Sequence, residues 1–223
     1  MSMIRRHRMV RPNSFSLVEL LVVLAIMAIL AAVATPAITG LMRSSSLTAG
    51  GNRLVDYLNL SRQAAMAKNC RVEFRMYQLP DPTVPSSSAP TVYRAFQSFS
   101  LENNGSQTNA ISKVSFLPDG IAMVNNATVS SLLPATPSNP PYLVSGATAG
   151  YTVVNYPPSS YNYMAFHFKP DGSTNLNPNS TSSWFVSLAN QRDSIQGTNA
   201  LPNNSYTVQI DAQTGRVRSF RPN

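Results

Sequence analysis

The chain is short of the residues on which disulfide-built domains and most enzymes depend. Cys70 is its only cysteine, so no intrachain disulfide can form and the folded part must rely on a hydrophobic core. Only two histidines occur, His7 and His167, and neither CxxC nor HExxH spacing is present. A metal site needs several ligands at short spacing, so no metal is expected, and His167 reads as an ordinary strand side chain. Charge is sparse, at 12% of residues. The nine acids are scattered, and Asp119, Asp171 and Asp211 fall at apparent turns, so no pair is placed for acid–base work. There is no G-x-S-x-G elbow, no phosphate-binding glycine loop and no acidic calcium loop. These absences predict no catalytic residues, no cofactor and no enzyme.

What is present begins with basic charge. The formal charge is +8, but Arg5, Arg6, Arg8 and Arg11 lie in the first fourteen residues with no acid beside them. The rest of the chain keeps a formal +4, weak support for nucleic-acid binding. The arginines precede FSLVELLVVLAIMAILAAVATPAITGLM, residues 15–42, in which Leu20–Ala34 is unbroken apolar sequence. With its flanks this run reaches the roughly 20 residues that a spanning helix needs. Positive charge stays in the cytoplasm, which predicts a single-pass inner-membrane protein with its N-terminus cytoplasmic and its C-terminal head outside.

Glu19 is out of place in a plain anchor. The related Asp costs about 2.5–3.5 kcal/mol in the middle of a spanning helix, and such residues usually have a named partner. A free amine at Phe15, created by cutting after Ser14, would lie in the same layer and could neutralise Glu19 within one subunit or between neighbours. Two other readings of this segment stay open. Ala32-Val33-Ala34 has the form of a secretory cleavage site, which would give a Thr35 start. The helix could also be an uncleaved anchor in which Glu19 has no role.

SFSLVELLVVLAIMAILAAVATPAI resembles the prepilin-type cleavage and methylation segment. The family pattern falls on Ser14, Phe15, Ser16, Leu17, Val18 and Glu19, with Ser14 where the family usually has Gly. The resemblance implies that a prepilin peptidase cuts between Ser14 and Phe15 and methylates the Phe15 amine. It also implies that Glu19 serves assembly with other pilin-like subunits through the N-terminal helix, and Pro36 matches a proline common in such helices.

Beyond the apolar run, Leu47, Leu54, Leu58 and Ala65 recur on one helical face, with Val55 beside them. Arg53, Asp56, Asn59, Leu60 and Gln63 fall on the other side. A helix over 15–70 is expected, apolar to residue 42 and amphipathic from 43. Pro36 predicts a kink near residues 32–36, and Gly50-Gly51 predicts bending or local melting.

After Asn69 the period changes to two. Val72, Phe74 and Met76 alternate with Glu73, Arg75 and Tyr77, which predicts a half-buried strand. Further strands are expected at 92–101, 184–188 and 206–210, and the turn DAQTG with Gly215 predicts a closing hairpin into RVRSF. SFLPDG and HFKPDG each predict a turn after an apolar strand. Residues 79–91, 121–163 and 189–204 are rich in Pro, Asn, Ser, Thr and Gly and predict surface loops.

The expected fold is α+β: leader 1–14, helix 15–70, then an antiparallel β-rich pilin-like head over 71–223. This element order, with a terminal hairpin near T-G-R-V, resembles minor pseudopilin H of type II secretion. MRSSSLTAGGNRLVDYLNLSRQAAMAKNCRVEFRMYQLPD, with YRAFQSF and SFLPDG, resembles the family Verru_Chthon cassette protein D, whose name carries no established activity.

Two functional readings follow. One is a pseudopilin or minor-pilin-like subunit of a type IV pilus or type II secretion-like filament. The other is a displayed binding module for DNA, polysaccharide or protein. For DNA the candidates are Lys113, Lys169, Arg216, Arg218 and Arg221 with Tyr161, Tyr163 or Phe220. Arg216 and Arg218 would share one strand face. A solvated edge strand protected by charge explains the same pattern, so nucleic acid is the weaker partner.

Overall fold

The computed structural model describes residues 16–80, 91–102, 107–133, 141–145, 161–179, 183–194 and 201–222; the side chains of 33–38, 107, 142–145, 192 and 194 are outside that description. The architecture is α+β: a long helix, then an antiparallel sheet. By internal contacts the chain forms two compact units, Met1–Met42 and Arg43–Asn223.

Helix α1 spans Leu17–Lys68 and belongs to both units. Asn69 ends it in a left-handed conformation, φ 49°, while the Cys70 N–H donates back to the Ala65 carbonyl at 3.2 Å. That pair of features is the Schellman stop, which satisfies carbonyls that a helix end leaves free. Among the described residues no helix is long and apolar enough to cross a membrane. The apolar stretch whose side chains are described, Leu17–Ala32, falls short of the roughly 20 residues a span requires.

In the second unit, the sheet contains β1 (Arg71–Pro80), β2 (Thr91–Glu102), β3 (Gln107–Ala110), β4 (Ser115–Phe116), β5 (Ile121–Met123), β6 (Tyr142–Ser145), β7 (Asn162–Phe168), β8 (Trp184–Asn190), β9 (Ser205–Ile210) and β10 (Val217–Phe220). A short helix α2 (Gln191–Ser194) follows β8. The strand order is β10-β9-β8-β5-β2-β1-β7-β6, with β3 and β4 also paired to β2. The expected strands and the closing hairpin are present, and Gly120, Gly172 and Gly215 take φ of 76°, 82° and 62° at the three turns. L-residues with a Cβ rarely adopt such angles, which is why glycine ends each turn.

Leu47, Leu54, Leu58 and Ala65 are buried, as their spacing predicts, in one core with Val72, Phe74, Met76, Phe96, Phe166 and Phe168. Ser61 continues the same stripe and bonds to Ser98 Oγ of β2 at 2.6 Å, a polar pair inside the helix–sheet contact. Leu60 lies outside the stripe and is exposed.

Three expectations need correction. The helix does not melt at Gly50-Gly51. Gly51 completes the stripe 47-51-54-58-61-65, and a Cβ placed there would stand 2.4 Å from the Tyr206 ring. Close packing, not flexibility, requires that glycine. Second, β1 is not half-buried: Glu73, Arg75 and Tyr77 are as buried as Val72, Phe74 and Met76. It lies inside the sheet between β2 and β7, and a second cluster of Tyr77, Leu79, Ala95, Tyr161, Tyr163 and Ala165, packed by Val114 and Phe116, covers part of its other face. Third, 121–163 is not loop throughout. It holds β5 and β6, and Val129, Leu132 and Leu133 are buried.

Candidate functional site

The start of α1 is set by local chemistry. Ser16 precedes the first helical residue, and its Oγ accepts the Glu19 N–H at 3.2 Å. Its carbonyl accepts the Leu20 N–H, also at 3.2 Å. Ser at the cap with Glu three residues on is the pattern of a capping box, and the acid also complements the positive end of the helix dipole. Glu19 therefore has a local reason to stand where it does, one that sequence spacing alone offered and the membrane reading passed over. Ser14, Phe15 and the leader lie outside the described residues; Pro36 lies within continuous helix, its side chain outside the description.

From Leu17 to Met42 the described apolar side chains are exposed: Leu17 at 79%, Leu24 at 58%, Leu30 at 65% and Leu41 at 72%. A helix apolar all round and without internal cover needs an external apolar surrounding.

In the head, a cluster forms that no sequence spacing indicated. Glu73 and His167 are direct partners across the β1–β7 ladder, 94 residues apart. The His167 Nε2 lies 2.9 Å from Glu73 Oε2. An ionised carboxylate only accepts, so Nε2 carries the hydrogen. The Arg75 guanidinium bonds to the other Glu73 oxygen and lies over the rings of Phe99 and Tyr163, 4.1 Å and 4.7 Å from their centres. Burial opposes the Arg75 cation, but the Glu73 carboxylate outweighs it and holds Arg75 above its ordinary value. Burial likewise pushes the phenols of Tyr77 and Tyr163 up, despite the opposing pull of Arg75. The alternating strand pattern placed Glu73 and Arg75 in solvent; only the pairing of β1 with β7 and the cover on that face reveal the cluster. A carboxylate already bound by a guanidinium and an imidazole is a structural ion centre rather than a base aimed at a substrate. Among the described residues no group of three or more His, Cys, Asp or Glu could hold a metal.

The proposed basic surface divides in the structure. Tyr161 and Tyr163 are buried. Arg221 turns to the helix and donates to Thr48, Ser44 and Asn204. Arg216 and Arg218 do come together, in a pocket of about 280 Å³ with Asn177, Ser183, Trp184, Gln209 and Asp211.

Comparison with protein-family models gives a match at the amino terminus. Residues 9–35 carry the prokaryotic N-terminal methylation motif. That span contains Ser14, Phe15, Glu19 and most of the apolar run, and it bears out the resemblance to the prepilin-type segment. No curated protein matches the chain, and Verru_Chthon cassette protein D receives no support. Two solved structures of the minor pseudopilin EpsH from the type 2 secretion system of Vibrio cholerae match this chain, each at 9% identity and a TM-score of 0.39. The first match covers 79% of this chain and 97% of that one; the second covers 81% and 96%.

Proposed function

We propose that the chain is a pseudopilin or minor-pilin-like structural subunit. The methylation motif at 9–35 carries this reading, because it opens directly into an exposed apolar helix that continues into the helix of a β-rich head. In this reading the leader 1–14 is removed by a prepilin peptidase between Ser14 and Phe15. The apolar segment 15–42, which holds the first part of α1, spans the inner membrane, with any kink at Pro36, and the amphipathic part of α1 from Arg43 to Lys68 belongs to the extracytoplasmic side. Neighbouring subunits pack through the apolar part, where a Glu19 carboxylate and a methylated Phe15 amine neutralise each other in surroundings that make an unpaired charge costly. The capping bond at Ser16 supports the same geometry, since it holds the Glu19 backbone at the first turn, near the new N-terminus.

The mass of the amino-terminal peptide from membranes tests the processing. A methylated Phe15 start supports the reading; a Thr35 start replaces it with ordinary secretion. Glu19→Ala tests assembly: insertion into the membrane stays intact and incorporation into filaments falls, measured by shearing and immunoblotting. Normal incorporation would remove the role given to Glu19.

A further inference from the structure

The pocket at the Arg216–Arg218 end of the sheet belongs to the head, whereas the proposed subunit packing is assigned to the apolar part of α1, and it has the make-up of a binding site. Arg218 stands directly across the ladder from Gln209, and the Asp211 backbone N–H donates to the Arg216 carbonyl at 2.9 Å, which holds both arginines at the base of the closing hairpin. Among the described residues neither guanidinium has a hydrogen-bond or ion-pair partner. Unpaired guanidiniums in a cleft present donors in a fork that matches a carboxylate or phosphate. The wall is already rigid: the Trp184 indole N–H donates to the Asn177 carbonyl at 2.8 Å, and Asp211 Oδ1 accepts the Gln213 and Thr214 N–H groups at 2.9 Å and 3.1 Å.

We propose that this pocket binds a sugar acid, through the carboxylate and neighbouring hydroxyls of a uronic-acid residue. Charge selects among anions. Two guanidiniums against the Asp211 carboxylate leave one net positive charge, which suits a monoanion and disfavours a phosphate dianion placed beside Asp211. The remaining groups, the side chains of Asn177, Ser183 and Gln209, both donate and accept, as ring hydroxyls require. A peptide anchor would instead want a deep apolar pocket, and Trp184 is only 8% exposed. Nucleic acid would want a continuous basic track with open aromatic faces, whereas Tyr161 and Tyr163 are buried. The volume of about 280 Å³ lies at the small end of ligand pockets and suits one sugar ring rather than a long segment.

The full chain in detergent micelles is titrated calorimetrically at low salt with glucuronate, with oligogalacturonate, with glucose, with inorganic phosphate and with a glutamate-rich peptide. Saturable binding of a uronate, none of glucose, and at least a tenfold loss in the double variant R216Q/R218Q are expected. Because both side chains are exposed, near-UV circular dichroism of that variant stays unchanged. Glucuronate binding as tightly as the oligomer identifies a free sugar acid; tighter oligomer binding identifies a polysaccharide. Absence of uronate binding, equal binding by the double variant, or equal or tighter binding of phosphate or peptide overturns the proposal. Filament incorporation of the double variant is expected to be normal, so failure here leaves the assembly reading untouched.

Discussion

Between Leu17 and Met42, α1 carries large apolar side chains that are exposed, Leu21, Ile26 and Ile29 among them; between Arg43 and Lys68, the side chains of Leu47, Leu54, Leu58 and Ala65 fall on one stripe and disappear into the core, while Leu60 and Met66 stay exposed. The backbone is the same helix in both stretches. What differs is the pattern: continuous apolar sequence in the first, a three-and-four spacing in the second. Patterned sequence is stabilised by the chain's own sheet. Unpatterned apolar sequence must find lipid or other helices. The two halves should therefore respond oppositely to the same substitution.

Truncating one leucine in each half gives the largest contrast. Leu58 is 1% exposed in the helix–sheet core, so Leu58→Ala should cost about 2–5 kcal/mol of head stability. Leu24 is 58% exposed, and Leu24→Ala should change the same melting transition by less than about 0.5 kcal/mol. Urea denaturation followed at Trp184 reads both. Equal losses would mean that the first half is also packed within the chain.

Glycine substitution sharpens the contrast at smaller scale. At Gly51 an added Cβ meets the Tyr206 ring at 2.4 Å, and Tyr206 is itself fixed by a 2.9 Å bond to Asn52 Oδ1. Gly51→Ala should therefore destabilise the head by about 1–3 kcal/mol, overpacking outweighing the gain in helix propensity. At Gly40 nothing lies within 4 Å, so Gly40→Ala should leave head stability unchanged and favour the local helix by up to about 1 kcal/mol. Thermal melting separates the two variants, and a stabilised Gly51→Ala protein would show that the Tyr206 contact yields.

These cases also show how much was legible beforehand. Leu47, Leu54, Leu58 and Ala65 were readable because helical packing is periodic and local. The turns ending in Gly120, Gly172 and Gly215 were readable because a positive φ restricts the residue. Gly51 was misread because propensity describes an isolated helix, whereas here a ring on β9 occupies the space of its side chain. Glu73 and His167 were invisible as a pair because strand alternation gives two faces but not which strands become neighbours. In the site, the methylation motif over 9–35 was legible from its residue order; Arg216 lies just before β10 and Arg218 on it, so their meeting in one pocket comes from the hairpin and not from strand period alone, and the fates of Arg221, Tyr161 and Tyr163 depended on tertiary packing.

The cap offers a smaller effect confined to the first half. Ser16→Ala removes the bond to the Glu19 N–H and should cost about 1 kcal/mol of local helix stability. Amide exchange at Leu17–Leu20 in micelles should accelerate several-fold, with the head melting transition unmoved. A shift in head melting would couple the two halves more tightly than their separate packing implies.

The smallest expected effect is set by acid, and it acts on the second half alone. Arg62 of α1 donates through Nε to the carbonyls of Gly172 and Thr214, at 3.1 Å and 3.0 Å, joining two turns to the helix. Each turn is held by its own aspartate. Hydrogen bonds from the Ser173 hydroxyl and N–H keep Asp171 below its ordinary range, and the Thr214 N–H, opposed by slight burial and helped by Gln213, does the same for Asp211. A carboxyl whose folded pKa is depressed contributes stability above its unfolded value, about 3.9, and loses it as pH falls through the folded value. Below about pH 4 both turns should therefore loosen together, and the Ser173, Gln213 and Thr214 amides should lose protection relative to their intrinsic exchange rates at each pH. Asp211→Asn retains an acceptor but cannot titrate, so protection at Gln213 and Thr214, measured against intrinsic exchange rates, should become flat across that window while Ser173 still responds. If Asp211→Asn leaves the acid response of Gln213 and Thr214 intact, the aspartate is not what ties that turn to the helix.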